Sequence, residues 1–258
     1  MYMDVIYEKK DGLAWIRLNR PKSLNSFNDT LVEQLHQALD KVTSDSEVRV
    51  AIITGEGKAF CAGGDLTYLE TLACPTAQKA FIEKVGRLVQ KITTIPKPII
   101  AMVNGVAAGA GANLMLACDL VYASKSARFA QSFSKVGLVP DCGGFYFLPK
   151  TVGIHKAKEL MFTADIISAE EAEKLGMINH LCSAETLQET TELMAQRLVA
   201  SAPIALGLIK EILNKTNMEL SDVLFTEATV QPLCLSSADC AEGIAAFKEK
   251  RAPKFTGK

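Results

Sequence analysis

Between Asn104 and Lys150 the chain carries no glutamate and no histidine; Asp119 and Asp141 are its only acids there. Both follow a run of small residues, Asn104-Gly-Val-Ala-Ala-Gly-Ala-Gly-Ala-Asn113. The apolar run after Pro98 reads as a buried strand, and the segment from Leu114 to Cys118 as a buried helix. A strand, a tight small-residue turn and a helix N-terminus together present unpaired backbone N–H groups that favour negative charge. We read this turn as half of an oxyanion hole and Asp141 as the working carboxylate. A second small-residue turn, Phe60-Cys-Ala-Gly-Gly-Asp65, precedes a helical stretch that begins at Leu66.

One carboxylate can take a proton from a carbon acid and return it at another carbon. Apolar surroundings raise its pKa toward useful values, and Phe133, Phe145 and Phe147 are placed in sequence to supply them. Asn113 can hydrogen-bond but cannot accept a proton. Asp119 ends the central helix and reads as a structural carboxylate. Asp141 follows Pro140 and precedes Cys142-Gly143-Gly144, a setting in which aspartate also serves as an ordinary helix N-cap.

The elements that position these residues follow from periodicity. Val5–Tyr7 and Leu13–Leu18 alternate around Asp11-Gly12 as a hairpin. Residues 19–25 form a polar loop, and Asn28 or Asp29 caps a helix running to Val42. Val48–Thr54 is a buried strand; Thr76–Thr93 is a helix with Phe81, Val85, Leu88 and Ile92 on one face. Short strands follow at 119–123 and 127–130, then a helix from Gly143 to Val152. Ser168 and Glu171 have capping-box spacing, and residues 176–182 add a short strand. Helices start near Ala184, Pro203 and Ser221. The alternation from residue 48 to about 125 implies βαβ crossovers, so the fold class is α/β with a mainly parallel sheet. We place a division near residue 200, giving a core over 1–200 and a helical region over 201–258.

The 258 residues are 48% hydrophobic, enough for one substantial core. A net charge of -1 argues against a nucleic-acid partner, and the longest nearly uncharged stretch is too broken by Asn104 and glycines for a membrane span. Seven cysteines without a CxxC pair read as free thiols of a reducing cytoplasm. Three scattered histidines give no metal site. The first ten residues lack the apolar stretch of a signal peptide, so we expect a cytoplasmic protein.

The chain resembles the crotonase (enoyl-CoA hydratase/isomerase) superfamily over nearly its whole length. The matching blocks, in order, are Asn19-Arg-Pro-Lys-Ser-Leu-Asn25, Phe60–Asp65, Pro96-Lys-Pro-Ile-Ile-Ala and Asn104–Gly111, followed by Cys118-Asp119, Val136-Gly-Leu-Val-Pro140, Ser168-Ala-Glu-Glu-Ala172 with Gly176, and Glu242–Arg251. The resemblance implies a ββα spiral core and a C-terminal helical trimerisation region, assembled as a homotrimer or as a hexamer of two trimers. It implies an acyl-CoA thioester as substrate and no separate cofactor, coenzyme A being part of the substrate. The thioester oxygen would sit between the N–H groups of Gly64 and Ala110. Lys22, Leu24, Ala62, Asp65 and Leu66 would line the CoA path, and Phe247 and Lys250 would reach the CoA of a neighbouring subunit.

The sequence departs from typical hydratases of the family at both of their glutamates, whose positions hold Asn113 and Phe133. It is most similar to the branch with a single acid at the position of Asp141. That branch comprises some Δ3,Δ2-enoyl-CoA isomerases and the ring-epoxide isomerases of phenylacetate breakdown. Aryl-CoA dehalogenases, a related branch, use an aspartate there as nucleophile. We therefore expect an acyl-CoA isomerase. The alternatives are an enoyl-CoA hydratase of fatty-acid β-oxidation that uses Asp141 alone and a non-catalytic acyl-CoA-binding homologue.

Overall fold

A computed structural model describes residues 3–215 and 218–258. In chain order the elements are β1 Val5–Lys10, β2 Leu13–Leu18, α1 Asp29–Ser44, β3 Val50–Gly55, β4 Ala59–Cys61, α2 Leu66–Glu70, α3 Pro75–Thr94 and β5 Ile99–Val103. They continue with β6 Val106–Ala108, α4 Ala110–Ala117, β7 Leu120–Ser124, β8 Arg128–Ala130, α5 Gly144–Val152, α6 Ile154–Thr163, β9 Ile167–Ser168 and α7 Ala169–Lys174. The last are β10 His180–Cys182, α8 Leu187–Val199, α9 Pro203–Asn214, α10 Leu220–Leu235 and α11 Ala238–Glu249.

Two sheets result. The larger has the order β1-β2-β3-β5-β7-β10; β1 and β2 are the hairpin, and every other neighbouring pair is parallel. Its central strands are Val-, Ile- and Ala-rich and wholly buried, as parallel strands covered on both faces must be. One face packs on α1 and α3 through Leu31, Leu35, Leu39, Phe81, Val85, Leu88 and Ile92. The other face packs Trp15, Ile52, Ile100 and Tyr122 against Leu187 and Ala195 of α8. Asn28 caps α1, its Oδ1 accepting from Leu31 N at 2.9 Å.

The smaller sheet, β4-β6-β8-β9, positions the site. Its strands are two or three residues long, too short to show alternation, and the sequence reads β4 and β6 as parts of turns. Two further differences have physical reasons. The loop after Asn19 contains a 3-10 turn over Pro21–Ser23, because proline presets φ at a turn start. The helical stretch expected from Leu66 is present over Leu66–Glu70, and the Asp65 side chain caps it, accepting from Tyr68 N. Ser168 caps α7, accepting from Glu171 N at 3.2 Å, but the reciprocal half of the capping box is not made; the Glu171 carboxylate lies 3.4 Å from Lys156 Nζ.

Candidate active site

β4, β6 and β8 run parallel as neighbours, so the segments leaving their C-terminal ends lie side by side. Those segments are Ala62–Asp65 after β4, Gly109–Ala110 after β6, and Gln131–Val136 after β8, the last containing a 3-10 turn over Ser132–Val136. Ligands of α/β sheets bind at this edge. Here the three segments enclose a cavity of about 570 Å³ lined by Gly63, Gly64, Ala110, Phe133, Leu138 and Asp141, among others.

Two glycines bring the turns together. A Cβ on Gly63 would stand 3.0 Å from Ala108 O and 3.4 Å from Ala110 N, so only glycine lets the first turn close on the second. Gly109 adopts φ 51°, ψ -125°, a backbone region that L side chains avoid. The sharp turn leaves Ala110 as the first residue of α4, where its N–H has no partner within the helix. Neither Gly64 N nor Ala110 N donates to another group among the described residues. Gly64 and Ala110 both line the cavity, one from each turn.

Asp141 reaches the cavity from the loop before α5. Its Oδ1 is buried and has no hydrogen-bond partner within the protein. Burial pushes its pKa from 3.8 up to about 6; a hydrogen bond from its own backbone N–H pulls the other way but is outweighed. It does not cap α5; that place is taken by Gly143 in the left-handed region. Phe133 is buried and lines the cavity, as expected. Phe145 and Phe147 do not. Phe145 is 62% exposed, and Phe147 packs behind the loop, where a Cβ on Gly143 would meet its ring at 2.6 Å. Residues two apart on a helix point to nearly opposite sides, so Phe145 and Phe147 could not both have faced one cavity.

Asp119 is structural. It accepts from Ile99 N at 2.7 Å and Lys210 Nζ at 2.8 Å, tying β5 and the end of α4 to α9. Asn113 is completely buried and engaged at both ends.

Lys22, Leu24, Ala62, Asp65 and Leu66 also line the cavity. The Asp65 carboxylate is taken by Arg20 at 2.9 Å as well as by the cap, which leaves backbone for ligand contact. Lys135 and Ser132 also line the cavity; sequence reading passed over them because a lone lysine and serine in a loop carry no signal of their own. Phe247 and Lys250 lie at the end of α11 and outside this cavity; Phe247 is 84% exposed. Among the described residues no group of His, Cys, Asp or Glu could hold a metal ion, and no single helix is long and apolar enough to cross a membrane.

Two turns of small residues meet beside Asp141 at the ends of short parallel strands, and the fold that carries them is of the crotonase type. The enoyl-CoA hydratase/isomerase family matches residues 8–258, and the chain belongs to it. It is 41% identical to a 1,2-epoxyphenylacetyl-CoA isomerase of Escherichia coli, over 98% of both chains. It is 37% identical to a crotonyl-CoA hydratase of Syntrophomonas wolfei, over 100% of this chain and 99% of the other. The crystal structure of an enoyl-CoA hydratase from Bacillus anthracis superposes with a TM-score of 0.95 at 32% identity, covering 99% of this chain and all of the other.

Proposed function

We propose that the protein is an acyl-CoA isomerase working with one base. The carrying observation is that the Asp141 carboxylate, its Oδ1 buried and without a hydrogen-bond partner, lines the same cavity as Gly64 and Ala110. The thioester oxygen of a 3-enoyl-CoA accepts from these two N–H groups, which makes the C2 proton acidic. Asp141 takes that proton, the electron pair forms the enolate, and the resulting carboxylic acid returns the proton at C4. The double bond moves from C3 to C2, with no water consumed and no redox change. A pKa near 6 suits a group that must act as both base and acid.

Hydration asks for more, namely a positioned water and a second proton donor. Phe133 puts an apolar ring into the cavity, and both ends of the Asn113 amide are occupied. The similarity to a 1,2-epoxyphenylacetyl-CoA isomerase favours a second substrate reading, a ring-bearing acyl-CoA rearranged at the same base. Lys22 and Lys135 in the cavity lining suit the CoA phosphates, with the backbone of Leu24, Ala62, Asp65 and Leu66 along the pantetheine path.

The assembly we propose is a homotrimer or a pair of trimers, built by the helical region after residue 200. The observation that supports it is α10, which buries none of its residues within the chain while exposing Leu220, Leu224, Phe225, Leu233 and Leu235. In that assembly Phe247 and Lys250 would meet a neighbour's CoA. The seven free thiols suit a cytoplasmic enzyme.

The test is a side-by-side assay on trans-3-hexenoyl-CoA and crotonyl-CoA with mass analysis of products. Conjugation of the first without a gain of water is expected. Water addition to crotonyl-CoA at a comparable rate would establish the hydratase instead, and silence on both substrates and on ring-bearing acyl-CoA thioesters would leave a binding role.

A further inference from the structure

The acid at Asp141 is held in place by a buried amide pair that the proposed reaction does not itself use. Asn113 Nδ2 donates to the backbone carbonyl of Asp141 at 2.9 Å, and Asn113 Oδ1 accepts from Gln131 Nε2 at 2.8 Å. Asn113 is fully buried and Gln131 is 3% exposed. The same Asp141 carbonyl accepts from Gly144 N at 2.9 Å, so it is gripped from both sides. Packing is tight here, since a Cβ on Gly144 would come within 2.4 Å of Asn113 Nδ2.

The grip has something to resist. Immediately after Asp141, Cys142 takes φ 51° and Gly143 φ 76°. A non-glycine residue in the left-handed region is strained, and such a conformation persists only where surrounding contacts impose it. Asn113 also lies one turn along α4 from Ala110, which lines the cavity. The helix that presents the oxyanion donor therefore also holds the base.

We infer that Asn113, oriented by Gln131, is a positioning residue that sets Asp141 in register with the Ala110 N–H. This rests on the reading of Asp141 as the base. Because the amide holds the Asp141 main chain and does not line the cavity, its removal should lower kcat and leave KM nearly unchanged. A misplacement of about 1 Å can cost about 100-fold in rate. The outer amide orients the inner one without touching Asp141, so its removal should show the same split in smaller degree.

The test compares Asn113→Ala, Gln131→Leu and Asp141→Asn with the full-length protein on trans-3-hexenoyl-CoA, with thermal melts as a folding control. The expected result is a kcat loss of about 10- to 100-fold in Asn113→Ala, a smaller loss in Gln131→Leu, and KM within about twofold in both. A folded Asn113→Ala with unchanged kcat, or one in which KM rises in step with the kcat loss, overturns the positioning role while a dead Asp141→Asn leaves the base reading intact. Should Asn113→Ala not fold, Gln131→Leu decides: unchanged kcat overturns the inference, and lowered kcat at constant KM supports it. Turnover retained in Asp141→Asn would remove the base reading and this inference together.

Discussion

A carboxylic acid with a raised pKa has opposite consequences for activity and stability. As a base Asp141 must be ionised, so kcat/KM for a 3-enoyl-CoA should climb as pH rises through about 6 and level off above. A pH–rate profile checks this; a rate flat from pH 5 to 8 would refute it. For stability the sign is reversed. Between pH 3.8, the ordinary value, and about 6 the folded state binds the proton more tightly than the unfolded chain, so stability falls as pH rises across that window. Above it the ionised, buried carboxylate is a constant cost, at most about 3 kcal/mol at roughly 1.36 kcal/mol per pKa unit. Asp141→Asn should therefore raise Tm at pH 8 and leave it nearly unchanged below pH 3.8. Equal shifts at both pH values would show that the gain comes from something other than titration.

At the scale of elements, the site is the end of a small sheet. Three-residue strands carry almost no sequence signal, so β4 and β6 are legible only as glycine-bearing turns. The turns themselves are legible, since Gly63, Gly64, Gly109 and Ala110 are small where side chains would block approach. Phe145 and Phe147 misled because their proximity to Asp141 in sequence says nothing about which face of α5 they occupy. Asn113 was visible as a missing glutamate but not as a clamp, because its partners Gln131 and Asp141 lie 18 and 28 residues away. Gly63→Ala tests the approach of the turns. Its φ of 99° and the 3.0 Å contact with Ala108 O would force the two N–H groups apart. We expect kcat/KM to fall by about 100-fold or more, in line with the loss of one oxyanion donor. A variant with unchanged kinetics would mean that the turns need not touch.

Over the whole molecule, the long parallel strands and the amphipathic α1 and α3 read directly from periodicity and carry both faces of the larger sheet. The C-terminal helices read as helices, but what they pack against did not, because a helix whose polar and apolar residues are spread all round it has no preferred face. α10 is such a helix, and Phe225 on it is 76% exposed within the chain. Sedimentation of the wild-type protein should report trimers or hexamers, and Phe225→Asp should shift the distribution toward smaller species. A monomeric wild type would contradict the assembly we propose.

The most direct measurement is turnover of trans-3-hexenoyl-CoA by Asp141→Asn beside the wild type, with acyl-CoA affinity determined on both. General acid–base groups typically contribute about 10²–10⁴-fold. The account predicts a kcat loss of at least about 100-fold with acyl-CoA affinity within a few-fold of wild type. Turnover at the wild-type rate would contradict it, because among the described residues the cavity lining then holds no other acid free of a partner.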